Sequence, residues 1–206
     1  MIAVVDYGMG NLRSVENGLK TVGAEGKATS NPKDILDAKA VILPGVGAFK
    51  DCMANLEKFN LIDCVQKAAQ SGKPFLGICL GLQLLFSESV EFGSHAGLNL
   101  IPGKVKKFQF PEENRELKIP HMGWNRVKLQ TESSLFDGVP DNSYFYFVHS
   151  YFVVPDDQSV VAATADYGGD FVCGIRKDNM YAFQFHPEKS QKLGLTLLKN
   201  FSDLAH

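Results

Sequence analysis

In Lys73-Pro74-Phe75-Leu76-Gly77-Ile78-Cys79-Leu80-Gly81-Leu82-Gln83 the chain runs apolar without a break after Lys73, turns through a cysteine bracketed by glycines, and continues in a helical pattern. A strand that is apolar at every position is buried on both faces, as in a parallel sheet covered by helices. The segment from Gly77 to Gly81 has the form glycine-x-nucleophile-x-glycine. That form makes a sharp strand-to-helix turn, in which the glycines admit neighbouring backbone and the central residue takes a strained conformation. The turn projects the sulfur of Cys79 off the end of the sheet, at a helix N-terminus where backbone N–H groups favour negative charge. The N–H of Leu80 is then aimed at the place where an oxyanion would develop.

Outward from this corner the same unit repeats. Ile2–Val5 and residues 40–43 are β-branched or apolar runs, each followed by a glycine-containing turn, Tyr7-Gly8-Met9-Gly10 and Pro44-Gly45-Val46-Gly47. Asn11 can cap a helix reaching about Thr21, and a second helical pattern covers residues 61–70. The helix after Cys79 is expected to reach Phe86. Strand, glycine loop and helix in succession are the pattern of βαβ units. The second half reads differently. Residues 98–110, 125–129, 144–154, 160–164, 171–176 and 180–185 look like strands joined by short turns, before a closing helix over residues 193–201. The expected fold is α/β: a three-layer, flavodoxin-like, mostly parallel central sheet with helices on both faces, plus a small additional antiparallel sheet. No repeat, low-complexity tract or linker interrupts it, so residues 1–206 are expected to form a single domain.

Composition limits what such a fold can serve. At 206 residues, 45% hydrophobic and 21% charged, the chain is globular in composition and buries roughly 70% of its unfolded surface. With 21 Lys+Arg against 23 Asp+Glu, the net charge of −2 and the lack of a basic stripe argue against nucleic acid as a partner. No apolar run approaches the ~18 residues of a membrane span. Asp6 follows Met1-Ile2-Ala3-Val4-Val5 with no basic flank, which reads as a strand rather than a signal peptide. Cys52, Cys64, Cys79 and Cys173 lack CxxC spacing, fitting free thiols in a reducing, cytoplasmic compartment. All but Cys79 read as buried structural residues. His95 (in a Gly/Ser-rich loop), His121, His149, His186 and His206 are scattered, so no metal is expected. Gly8-x-Gly10 is followed by Arg13 where a third glycine would stand, which removes a dinucleotide site; no cofactor is expected.

A nucleophilic sulfur needs a base. His186 closes the run 180–185 at the carboxyl end of a strand, where the sites of α/β proteins gather. Pro187 stops the strand there. Residues i and i+2 of an extended segment share a side, so Glu188 can accept a hydrogen bond from one ring nitrogen of His186 and leave the other for Cys79. Cys79, His186 and Glu188 therefore form a candidate triad.

The segment Gly77-Ile78-Cys79-Leu80-Gly81-Leu82-Gln83, together with Phe185-His186-Pro187-Glu188, resembles the class I (triad) glutamine amidotransferases. Within that family several segments are similar to the histidine-biosynthesis branch: Asp6-Tyr7-Gly8-Met9-Gly10-Asn11, Pro44-Gly45-Val46-Gly47-Ala48-Phe49, His121-Met122-Gly123-Trp124-Asn125, Val148-His149-Ser150-Tyr151 and His186-Pro187-Glu188-Lys189-Ser190. The resemblance spans essentially the whole chain. It implies hydrolysis of L-glutamine through a thioester on Cys79, with ammonia passed to a separate cyclase subunit in a heterodimer. It also implies an oxyanion hole formed by Leu80 with a backbone N–H of Val46 or Gly47, and glutamine contacts from Gln83, His149, Ser150 and Tyr151. The partner-facing surface would include Asn11, Trp124 and Lys189. Two other readings stand beside it: a glutaminase subunit for another ammonia-accepting synthase, and a stand-alone cysteine hydrolase with the same corner.

Overall fold

In the computed structural model, residues 1–114 and 116–205 are described; Arg115 and His206 lie outside them. The strands in chain order are β1 (Ile2–Val5), β2 (Gly26–Thr29), β3 (Ala40–Gly45), β4 (Phe75–Cys79), β5 (Phe86–Ser89), β6 (His95–Ala96), β7 (Ile101–Lys107), β8 (His121–Leu129), β9 (Ser143–His149), β10 (Tyr151–Pro155), β11 (Val161–Asp166), β12 (Asp170–Lys177) and β13 (Met180–Phe183). The helices are α1 (Leu12–Thr21), α2 (Pro32–Asp37), α3 (Phe49–Lys58), α4 (Ile62–Gln70), α5 (Leu80–Leu84) and α6 (Gln191–Asp203).

Five strands run parallel in the order β2-β1-β3-β4-β13. Their side chains alternate between two cores, because successive residues of a strand face opposite sides. Ala3, Val5, Val41 and Leu43 join Phe49, Leu56 and Val65 from α3 and α4. Ile2, Val4, Ala40 and Ile42 join Val15 and Leu19 of α1 and Leu197, Leu198 and Phe201 of α6. Helices therefore cover both faces, and each fully buried Leu or Phe contributes about 1.5–3 kcal/mol. The pairing Gly45↔Cys79 sets the corner beside the β3 loop, and Phe183↔Ile78 brings the end of β13 alongside it.

Beyond β13 the pairing turns mostly antiparallel. β12 pairs with β13, β10 and β11; β11 pairs with β8, and β8 with β9. β7 adds to β10 antiparallel and to β5 in parallel.

Local detail departs from the sequence reading in several places. The run 144–154 is two strands that break at Ser150. The helix after Cys79 ends at Leu84, and Phe86 starts β5. Strand β2 and helices α2 and α3 are additions. β2 is a mostly half-exposed edge strand without an apolar run, and α3 begins without a side-chain cap. His95 is half-buried in β6 rather than on a loop.

Candidate active site

Cys79 ends β4 and caps α5 with φ 56° and ψ −111°. A non-glycine residue in such a conformation costs on the order of 1–3 kcal/mol and is held only by its surroundings. The flanking glycines show how. A Cβ on Gly81 would be driven into the Leu43 carbonyl, and one on Gly77 would come within 2.8 Å of the Ala182 Cβ. Only bare backbone lets β4 turn straight into α5 between β3 and β13.

His186 approaches from the end of β13. Its Nδ1 lies 2.7 Å from Glu188 Oε1, and both side chains are almost fully buried. The intervening chain is a 3₁₀ turn, Pro187–Lys189, rather than extended, yet the pairing forms. The backbone is tied as well: His186 N donates to the Tyr146 carbonyl at 3.0 Å, and Ser190 Oγ donates to the His186 carbonyl at 2.6 Å. With Nδ1 committed to the carboxylate, Nε2 is the remaining proton carrier, and it has no hydrogen-bond partner among the described residues. Burial works against the charged ring. Cys79 and Glu188 beside it outweigh that, so its pKa rises to about 9. Cys79 and Glu188 thus both favour the imidazolium form of His186. Gln184 Nε2 donates toward the sulfur at 3.8 Å.

Cys79 and His186 open onto a cavity of about 320 Å³, within the size range of small-molecule sites. Its wall brings together Val46, Gly47, Leu80, Gln83, His149, Ser150, Tyr151 and Lys189, with Glu91, Pro120 and Val148. Gln83 Nε2 donates to the Tyr151 carbonyl at 3.2 Å and to Gln184 Oε1 at 2.9 Å. Gly47 has φ +91°, and the Val46 carbonyl accepts from Cys52 Sγ at 3.4 Å. Glu188 stands behind His186, outside the lining. Asn11 and Trp124 are not part of the lining either. Asn11 Oδ1 accepts from Ser14 N at 3.4 Å as the cap of α1, and Trp124 is 45% exposed, edge-on to Tyr146.

Two residues here escaped the sequence reading. Glu91 is buried; it is the one carboxylate on the cavity wall among the described residues, and its Oε2 accepts from Phe49 N at 2.6 Å. Nothing in Glu88-Ser89-Val90-Glu91 distinguishes it from a surface acid. Gln184 did carry a signal, as the single polar side chain in an otherwise apolar run leading to His186. The other cysteines are free and buried, and desolvation raises their thiols, Cys52 to about 11. Among the described residues, no group of three His, Cys, Asp or Glu is placed to hold a metal ion, and no helix is long and apolar enough to cross a membrane.

Fold and site together define an α/β protein with a cysteine at a strained strand-to-helix corner, next to a carboxylate-paired histidine. The model of the family "glutamine amidotransferase class-I" matches residues 3–204, and the chain belongs to that family. It is 53% identical over 206 residues to the imidazole glycerol phosphate synthase subunit HisH of Syntrophotalea carbinolica, covering 99% of this chain and 100% of that one. It is 51% identical over 199 residues to the protein of the same name from Aquifex aeolicus, covering 96% and 94%. Among solved structures, one of PurLQS from Thermotoga maritima is similar in fold, with a TM-score of 0.73 at 21% identity, covering 99% of this chain and 96% of the other.

Proposed function

We propose that the chain hydrolyses L-glutamine to glutamate and ammonia as the glutaminase subunit of imidazole glycerol phosphate synthase, in histidine biosynthesis. It would deliver the ammonia to that enzyme's cyclase subunit in a heterodimer. One observation carries the reading: Cys79 meets His186, itself paired with Glu188 at 2.7 Å, on one cavity. The names of the relatives at about half identity favour this branch over another synthase or a free-standing hydrolase.

In this reading Cys79 gives its thiol proton to His186 Nε2, and the thiolate Sγ attacks the side-chain amide carbon of glutamine. The oxyanion that forms is held by the N–H of Leu80 and a backbone N–H of Val46 or Gly47; one such donor is worth about 10²–10³ in rate. His186 Nε2 passes its proton to the departing nitrogen, ammonia leaves, and a thioester remains. His186 then takes a proton from water, whose oxygen attacks the thioester; glutamate departs and the sulfur is restored. Glu188 keeps the ring in the tautomer that presents Nε2. Gln184 supports charge on the sulfur. Gln83, His149, Ser150 and Tyr151 meet the body of glutamine, and the Glu91 carboxylate suits its α-ammonium group. All of this resides in one domain and needs no cofactor. The four free thiols fit a reducing cytoplasm.

Ammonia released to water is lost as ammonium, so the mouth of the cavity must be covered. Val46 on its wall is 37% exposed, and Met122 and Trp124 on β8 are 62% and 45% exposed. These apolar surfaces, with Lys189 and Asn11, suit a docked subunit. A glutamine-like diazo ketone tests the assignment. It should alkylate Cys79, spare Cys52, Cys64 and Cys173, and stop glutaminase turnover in the complex. Labelling spread over the four thiols, or none, overturns it.

A further inference from the structure

We propose that His121, which lies outside the cavity lining, is a positioning residue for glutamine: through His149 it fixes the shape of the His149-Ser150-Tyr151 segment that forms the cavity wall. The proposal rests on the glutaminase reading for its kinetic test.

A hydrogen-bond chain carries it, and in two neutral rings its direction follows from its end point. His149 Nδ1 lies 2.8 Å from the Tyr151 carbonyl. A carbonyl only accepts, so Nδ1 carries the proton, and in the neutral ring Nε2 is bare. His121 Nδ1 lies 2.9 Å from that bare nitrogen and must therefore donate to it. His121 Nε2 is then an acceptor as well, facing Asn125 Nδ2 at 3.3 Å. Asn125 is anchored in turn by donating to the Asp166 carbonyl at 2.7 Å. Each link leaves the next ring a single tautomer. Burial supports this by holding both rings neutral, with pKa values depressed to about 4 for His121 and about 3 for His149.

The end point of the chain gives it a function. The Tyr151 carbonyl also accepts from Gln83 Nε2 at 3.2 Å, on the helix that follows Cys79. The relay thus ties the break between β9 and β10 to the element that starts at the nucleophile. His121 and His149 are direct cross-strand partners, and His121 is clamped between rings, stacked on Tyr167 at 4.1 Å and on Phe147 at 4.9 Å. A ring of the same size without a donor would keep that stacking and lose only the hydrogen bond to His149. His149 would then be held on one side only, free to turn and loosen its hydrogen bond to the Tyr151 carbonyl.

Two variants separate positioning from packing. His121→Phe keeps the ring and removes the donor, whereas His121→Asn keeps an N–H near the place of Nδ1. In the complex with the cyclase subunit, His121→Phe should raise KM for glutamine about tenfold, the size expected for one lost buried hydrogen bond. Its kcat should stay within about twofold, and His121→Asn should recover most of the loss. Nitrogen-15 spectra of the imidazoles supply a readout independent of turnover. Both rings should appear as Nδ1–H tautomers in the wild type, and in His121→Phe the bare His149 Nε2 should shift to the position of an acceptor that has lost its donor. An unchanged KM in the Phe variant, no recovery with Asn, or His149 as the Nε2–H tautomer in the wild type each overturns the relay. A wild-type complex without glutamine turnover would instead refute the function proposed above, while the spectra still decide the relay. If the Phe variant fails to fold, the Asn variant and the wild-type spectra decide.

Discussion

Four of the five parallel strands, β1, β3, β4 and β13, are buried at every position, whereas β9 and β10, which line the cavity, and β7 beside β10 alternate between buried and more exposed residues. The first group carries Cys79 and leads to His186; the second supplies His149, Ser150 and Tyr151. The side chains proposed to react are thus fixed by strands with no wet face. The wall proposed to receive glutamine hangs on strands that a neighbour can press upon. Geometry that must be held to fractions of an ångström sits on the stiffer half, and the side that a partner subunit is proposed to adjust sits on the other.

Several measurements would break or sharpen that contrast. The largest effect is expected in the parallel half. Cys79→Ala should lower glutaminase turnover in the complex by about 10⁴-fold or more, with binding of the cyclase subunit essentially retained; surviving turnover would put the nucleophile elsewhere. Glu188→Gln should cost about 10³-fold in kcat through loss of the tautomer that presents Nε2, measured by glutamate release at saturating glutamine. Next comes pH. His186 must hold a proton to give to ammonia, and its pKa is raised to about 9, so kcat/KM should fall as pH rises through about 9, about tenfold per unit. A fall centred near 6.5 would show that Cys79 and Glu188 do not support the charged ring.

The smallest effect concerns stability, where the halves should differ in sign. His186 has a raised pKa, so its contribution is fully present below about 6.5, the unfolded value, and is lost as pH rises through about 9. His121 and His149 have depressed values, about 4 and about 3. Below about 6.5 the unfolded rings take up protons that the folded rings refuse, so stability falls with acid by up to about 1.4 kcal/mol per pH unit for each. Denaturant titrations across pH should show this acid loss shrinking in His121→Phe, and no change would detach the histidine pair from it.

Much of the parallel half could be read in the sequence because one constraint at a time governs it. Gly77 and Gly81 mark a corner where no Cβ fits, and Pro187 marks where a strand must stop. What stayed hidden depends on tertiary contact. Glu91 looks like any surface acid until α3 sets the Phe49 N–H against it. The break at Ser150 is invisible because β9 and β10 continue the same alternation on either side, and only their different neighbours, β8 and β7, separate them. Helix α3 lacks the side-chain cap that would announce its start, and α2, although capped by Asn31 with Pro32 at its first turn, is only a short segment.

The parallel pairing of β13 with β4 joins parts of the chain made far apart in time. Cys79 leaves the ribosome well before His186 is polymerised, and the imidazole reaches the sulfur only after the last strand has docked. In the proposed chemistry an unfinished chain therefore spends no glutamine, and competence arrives together with the closing helix that seals the fold.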